Sequence, residues 1–136
     1  KLLLAEESSS IISEIQTELS KEFKQEIEVK TITLDDYLKT HNKPTILKID
    51  VEGAENLVLE GGENFFRNNF PVPVIIMEVC GEKTYPIHSQ NHKLAVKFLK
   101  DLGYKSYKID NNGELSLVKN INFSSIEISD NYVFKK

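Results

Sequence analysis

The sequence predicts an α/β fold in which buried strands alternate with helices. Two largely apolar runs, at 46–50 and 74–79, are typical of strands covered by helices. The segment between them, 54–68, consists mostly of helix-forming residues and is interrupted at Gly61-Gly62, so the three segments predict a right-handed βαβ unit. With 136 residues and 40% apolar content, the chain corresponds to one domain with a substantial core.

Three elements are predicted before this unit. An amphipathic helix is expected over 8–24, and alternating apolar and polar residues at 27–32 predict a half-exposed strand. Thr33 and Asp36 form a plausible capping box, in which both side chains satisfy free backbone donors of a helix that ends before Pro44. The apolar stripe of the first helix consists of Ile11, Ile15, Leu19 and Phe23.

After the central unit, the pattern predicts a helix that ends at Gly103, a residue type preferred just past a helix C-terminus. Strands are expected at 104–109 and 114–118, joined by a turn at 110–113, and a last strand at 131–134. The apolar stripe of this helix consists of Leu94, Phe98, Leu99 and Leu102.

Composition excludes several classes of protein. The net charge is −4 and the basic residues are dispersed, so the chain does not resemble a nucleic-acid binder. No run approaches the roughly 18–20 apolar residues that a membrane span needs, and no signal-peptide pattern is visible. The single cysteine, Cys80, is interpreted as a small residue that closes a buried strand, and it favours a reducing, cytoplasmic location.

Asp50 and Glu52 are the first candidate functional residues, because they come where a strand gives way to a helix. Ligands of open α/β sheets bind at the carboxyl ends of strands. These acids could bind a metal, orient a hydroxylated substrate or act as a general base. Alternatively, Asp50 merely caps the following helix. Gly53 has no side chain, so another group can lie close to the backbone at this turn.

Further candidates lie at the end of the second strand of the unit or beyond it. Glu78 would lie on the same edge as Asp50 if the two strands are neighbours, and three converging acids would need a cation or a protonated partner. The alternative is a single solvated carboxylate. His88 and His92 are four residues apart, as in some zinc sites, but the zincin glutamate is missing. We therefore expect surface or supporting histidines and predict no metal site.

Four sequence blocks, in this order and spacing, resemble the FkbM-type methyltransferases. The six glycines of the chain form neither a G-x-G-x-x-G motif nor a phosphate-binding loop, so the resemblance does not include a nucleotide-binding motif. They lie at 31–38, 47–55, 58–62 and 75–79. The later Leu-Gly-Tyr at 102–104 and the end of the chain are also similar, so the resemblance spans about residue 27 to the C-terminus.

This resemblance implies an S-adenosylmethionine-dependent methyltransferase acting on hydroxyl oxygens of sugars or other small molecules. It implies an incomplete Rossmann-like fold, with a mostly parallel sheet, helices on both faces and an antiparallel C-terminal hairpin. The family's glycine-rich cofactor loop and ribose-binding acid precede the matched region, and 1–26 shows no counterpart. We therefore expect residues 1–136 to be the C-terminal part of a single methyltransferase domain, without its cofactor-binding part.

The resemblance also implies roles for the candidate residues. Asp50 and Glu52 would orient or deprotonate the methyl acceptor, and Glu78, Gly53 and His88 would belong to the substrate-binding side. Cofactor-binding residues are not assigned. The alternative function is a non-catalytic α/β interaction domain that self-associates, or that binds a protein partner through the 8–24 helix or an exposed sheet edge.

Overall fold

A computed structural model describes residues 2–4, 9–10, 25–68 and 72–136 of the chain. The N-terminal strands β1 (Leu2–Leu4), β2 (Ser9–Ser10) and β3 (Gln25–Ile27) form an antiparallel sheet in the order β2-β1-β3. The helix predicted over 8–24 falls mostly outside the described residues, although two of its residues form β2.

A second sheet contains five strands in the order β4-β5-β8-β6-β7. Its strands are β4 (Ile46–Ile49), β5 (Val74–Cys80), β6 (Lys105–Ile109), β7 (Leu115–Val118) and β8 (Ser129–Lys135). β4 and β5 pair in parallel, but the other three pairings are antiparallel. The predicted mostly parallel sheet is therefore wrong, because β8 inserts between β5 and β6 and runs opposite to both.

The described helices are α1 (Leu34–Tyr37), α2 (Glu55–Glu60), α3 (Glu63–Asn68) and α4 (Pro86–Asp101), with a short 3-10 turn at Phe123–Ser125. The predicted break at Gly61-Gly62 separates α2 from α3. The βαβ unit is thus confirmed. A side chain at Gly62 would meet the Leu34 side chain at 2.7 Å, so glycine permits α1 to pack closely on this break.

The start of α1 confirms only half of the predicted capping box. The Thr33 hydroxyl accepts a hydrogen bond from the backbone N–H of Asp36 at 3.1 Å, which satisfies one free donor of the first turn. The Asp36 carboxylate instead pairs with the Lys39 ammonium at 2.6 Å.

Asp35 joins α1 to α3 through a contact that the sequence did not reveal. Its carboxylate accepts hydrogen bonds from the backbone N–H groups of Asn64, at 3.1 Å, and Phe65, at 2.8 Å. Its own N–H donates to the Gly61 carbonyl at 2.9 Å. Asp35 therefore caps a helix that lies about 30 residues away, and this contact links the blocks at 31–38 and 58–62.

The strand predicted at 27–32 is wrong, because β3 ends at Ile27 and residues 28–33 form no regular structure. In the described part of the chain, the apolar side chains of this alternation are not buried: Val29 is 41% exposed and Ile32 is 60% exposed.

The core lies between the five-stranded sheet and the described helices. Ile75, Met77 and Val79 alternate along β5 and are fully buried against residues of α2, α3 and α4. Within the described residues, helices cover this one face. By register, the opposite face carries Ile46 and Leu117, which are 62% and 56% exposed.

The buried face of α4 differs from the predicted apolar stripe. Leu99 is fully buried, as predicted, but Leu94 is 50% exposed. His92, one turn before Val96, occupies the buried face instead, since it has a polar partner in the interior. The helix is therefore rotated relative to the prediction, which counted histidines as polar. None of the helices in the described part of the chain is long and apolar enough to cross a membrane.

The predicted turn at 110–113 is confirmed as the connection of the β6–β7 hairpin. The Asp110 carboxylate accepts hydrogen bonds from the N–H groups of Asn112 and Glu114, at 2.9 and 2.8 Å, and Gly113 adopts φ 84°.

Gly81, just after β5, packs directly against the 126–128 segment. A methyl group there would lie 2.0 Å from the Ile126 carbonyl oxygen, which is far inside contact distance. We expect Gly81→Ala to lower the free energy of unfolding by about 3 kcal/mol or more, because backbone must move. Urea unfolding will measure this. Gly61→Ala is the control. Gly61 has a helical φ of −65°, so this variant should lose far less free energy of unfolding than Gly81→Ala. Equal losses in the two variants would contradict the close packing of Gly81.

Candidate functional site

The candidate site is built on the turn between β4 and α2. Glu52 and Gly53 both have left-handed backbone conformations, with φ 50° and 87°. This conformation is easy for glycine but strained for glutamate, and such strain is concentrated at functional sites. The turn therefore holds Glu52 in an unusual position just beyond the carboxyl end of β4.

Asp50 does not cap the following helix. It is exposed, and its carboxylate pairs with the Lys48 ammonium at 2.6 Å. The N-cap residue of α2 is Ala54, which offers no side-chain hydrogen bond. The capping alternative is thus wrong, and Asp50 remains an accessible carboxylate at the rim of the sheet.

Glu78 lies beside this turn, as predicted. Ile49 pairs with Met77 in the parallel register of β4 and β5, so the next residues, Asp50 and Glu78, are neighbours. Glu78 is half-buried and accepts a hydrogen bond from the Ser129 hydroxyl at 2.7 Å. The two strand ends therefore bring carboxylates together.

Burial raises the pKa of the Glu52 carboxyl, and the negative charges of Glu78, Asp50 and Glu55 raise it further. A carboxyl group with a raised pKa is a stronger base than an ordinary glutamate once it has lost its proton. The other two predicted acids thus act electrostatically on Glu52.

This shift has a consequence for stability. Because the folded-state pKa of Glu52 is raised, folding disfavours its ionised form, and stability decreases as pH rises from the unfolded pKa through the folded one. We therefore expect Glu52→Gln to stabilise the protein at neutral pH but not at pH 3, where both states bind the proton. Urea unfolding at the two pH values will measure the difference. A stabilisation that is equal at both would contradict a raised pKa.

Behind the turn lies a buried pair that the sequence analysis did not identify. Glu55 and His92 are both 1% exposed, and His92 Nε2 lies 2.7 Å from Glu55 Oε2. The other Glu55 oxygen accepts the N–H of Val51 at 3.0 Å, and His92 Nδ1 accepts the N–H of Cys80 at 2.9 Å. The i, i+4 spacing of the histidines placed them on one helix face, but nothing in the sequence paired His92 with Glu55.

The pKa of Glu55 reflects competing effects. Burial alone would raise it, but the hydrogen bonds from His92 and from the N–H of Val51 outweigh burial and lower it. Glu55 is therefore ionised in the interior, supported by its hydrogen bonds.

His88 and Cys80 lie close to this pair. His88 is buried, and its ring meets Tyr85 edge-on at 5.3 Å and lies 6.5 Å from the ring of His92. Cys80 is buried at the end of β5, as predicted. Burial, followed by nearby carboxylates, raises the pKa of the Cys80 thiol to about 12, so the thiol stays protonated. Among the described histidine, cysteine, aspartate and glutamate side chains, no group of three or more is arranged so that it could hold a metal ion.

A cavity of about 760 Å³ opens on the other side of the turn. Its lining comes from the 31–37 segment, from the turn and from α2, and it is mainly apolar. The polar side chains of the lining are Thr31, Thr33 and Tyr37, and none of the described residues in the lining is charged.

An α/β domain with carboxylates gathered at the ends of two parallel strands is a common basis for small-molecule enzymes. A family model described as the methyltransferase FkbM domain matches residues 1–106, and the chain belongs to this family. The predicted family is thus confirmed, although the match covers residues 1–106, whereas the resemblance was expected from about residue 27 to the C-terminus. No curated protein and no solved structure matches the chain.

Proposed function

We propose that this chain forms the acceptor side of a methyltransferase that modifies a hydroxyl oxygen of a sugar or another small hydroxylated molecule. The observation that carries this proposal is the strained, half-buried Glu52 at the end of β4. A hydroxyl group must lose its proton as its oxygen attacks a methyl group, and a positioned carboxylate of raised pKa can accept it.

The neighbouring groups suit a molecule with several hydroxyls. Ionised carboxylates only accept hydrogen bonds, so Asp50 and Glu78 match the hydroxyl donors of a sugar. Asn91 donates to the Gly53 carbonyl at 2.9 Å, which fixes the backbone next to Glu52. We assign His88 to the binding side because it supports the ring of Tyr85, which is 38% exposed.

S-adenosylmethionine is the methyl donor that family membership implies, but the described residues do not fit the whole molecule. Its ribose diol and charged amino-acid end need carboxylate or backbone partners, whereas the cavity beside the turn has an apolar, uncharged lining. We propose instead that residues 1–136 are the acceptor-side part of a methyltransferase domain and that other parts of the protein bind the donor.

Two measurements test this proposal. The first is transfer of labelled methyl groups from S-adenosylmethionine to a panel of monosaccharides and small alcohols, with the protein purified from its natural host. Label on an oxygen atom is expected, and label on nitrogen or carbon, or on no member, would contradict the proposal. The second is calorimetry of the 136-residue chain with S-adenosylmethionine. Tight binding would contradict the assignment of the donor site to other parts of the protein.

A second candidate function is self-association through the sheet face that the described helices leave uncovered. Ile46 on the edge strand β4 and Leu117 on the edge strand β7 are more than half exposed on that face, and an unpaired edge strand can pair with a second chain. Light scattering after size exclusion tests it: a monomer at all concentrations would contradict this candidate.

A further inference from the structure

The buried Glu55–His92 pair links the two strand ends that carry the candidate acids. Glu55 lies at the start of α2 and accepts the N–H of Val51, the residue before Glu52. His92 lies on α4 and accepts the N–H of Cys80, two residues after Glu78. The 2.7 Å contact between the two side chains therefore connects the end of β4 to the end of β5.

The hydrogen bonds determine where the imidazole proton lies. The backbone N–H of Cys80 can only donate, so His92 Nδ1 must be the accepting nitrogen. The proton of the neutral ring is then on Nε2, which donates to Glu55 Oε2. The contact between the two side chains and the contacts with the Val51 and Cys80 N–H groups thus each have a fixed direction.

Stability alone does not explain such a pair. Buried charged pairs are often replaceable by apolar residues of similar size without loss of stability, because removing the charges from water is costly. A directional link is what apolar residues cannot supply. The adjacent residue on α4, Asn91, forms a further contact with the turn by donating a hydrogen bond to the Gly53 carbonyl at 2.9 Å.

We propose that Glu55 and His92 are positioning residues that hold the turn bearing Glu52 against the end of β5. This inference deepens the proposed function, since it assigns a purpose to the strained Glu52 backbone. Without the pair, the turn would relax and the Glu52 carboxylate would move away from Glu78 into water.

The test is a carbon-13 NMR titration of the Glu52 carboxyl in the 136-residue chain. The variant His92→Asn retains an acceptor near Nδ1 but has no donor at the Nε2 position, whereas His92→Gln retains that donor. We expect the raised Glu52 pKa to fall toward the ordinary glutamate value in His92→Asn and to fall less in His92→Gln, which keeps the bond to Glu55 but loses the acceptor for the Cys80 N–H. The titratable groups that face Glu52 are Glu78, Asp50, Glu55 and His92. Both variants carry a neutral amide in place of the neutral imidazole, so a difference between them reports the contact with Glu55 rather than a change in charge.

Two further variants complete the experiment. Val96→Ala removes buried apolar volume from the same helix without touching the turn, and it should leave the Glu52 pKa unchanged. Asn91→Leu removes the hydrogen bond to Gly53 without leaving a buried charge, and it should lower the Glu52 pKa. This variant tests the positioning of the turn if His92→Asn does not fold. The inference is overturned if folded His92→Asn or Asn91→Leu keeps the wild-type pKa, or if Val96→Ala changes it equally. The titration needs no methyl acceptor, so its outcome is independent of whether methyl transfer is detected.

Discussion

Replacing Glu52 with glutamine will slow methyl transfer by about 10²–10⁴-fold, the usual contribution of a general base. The amide has nearly the same shape but cannot accept the acceptor's proton at its oxygen with comparable strength. The measurement is kcat/KM with labelled S-adenosylmethionine and the acceptor found in the panel. Unfolding in urea will show that the variant is folded, and at neutral pH it should be at least as stable as the wild type.

Glu60→Gln is the matched control for this prediction. Glu60 is an exposed glutamate at the end of α2, away from the turn, so its replacement should leave kcat/KM within about twofold of the wild type, as for surface changes with small energetic effects. If Glu52→Gln were as active as Glu60→Gln, Glu52 would not be the general base.

Replacing His92 with leucine will lower the free energy of unfolding by about 3–5 kcal/mol, because it leaves the ionised Glu55 buried without its partner. Urea unfolding at pH 7 measures this loss. The double variant Glu55→Leu with His92→Leu should recover most of it, since removing the Glu55 charge also removes its desolvation cost.

Lys97→Ala on the same helix is the control for buried charge. Lys97 pairs with Asp101 at 2.7 Å, but these side chains are 72% and 58% exposed. Exposed pairs of this kind contribute about 1 kcal/mol or less. If His92→Leu costs no more than Lys97→Ala, Glu55 is not an ionised group that depends on His92.

The parts of the fold that follow from short-range patterns were predictable. The βαβ unit, the glycine break between α2 and α3 and the β6–β7 hairpin each depend on residues that are close in sequence. The order of strands did not follow from such patterns, because β8 inserts between β5 and β6 from the end of the chain. A strand can be recognised from its own residues, but its neighbours are chosen by the packing of the whole sheet.

The candidate site shows the same division. Glu52, Asp50 and Glu78 were found because each follows an apolar strand. The contacts that support this region join residues that are 30 or more positions apart in the sequence. Asp35 caps α3, and His92 pairs with Glu55, 37 residues earlier. A histidine on a helix gives no sign of such a partner, which is why Leu94 was placed inside and His92 was not.

The role of Glu52 as the general base is tested most directly by the pH dependence of kcat/KM for methyl transfer. A base must be ionised to accept a proton, so the rate of the wild-type enzyme should rise with pH through the raised pKa of Glu52 and then level off. In Glu52→Gln the remaining activity should lose this rise. A rise that persists at the same pH in the variant would show that another group removes the proton.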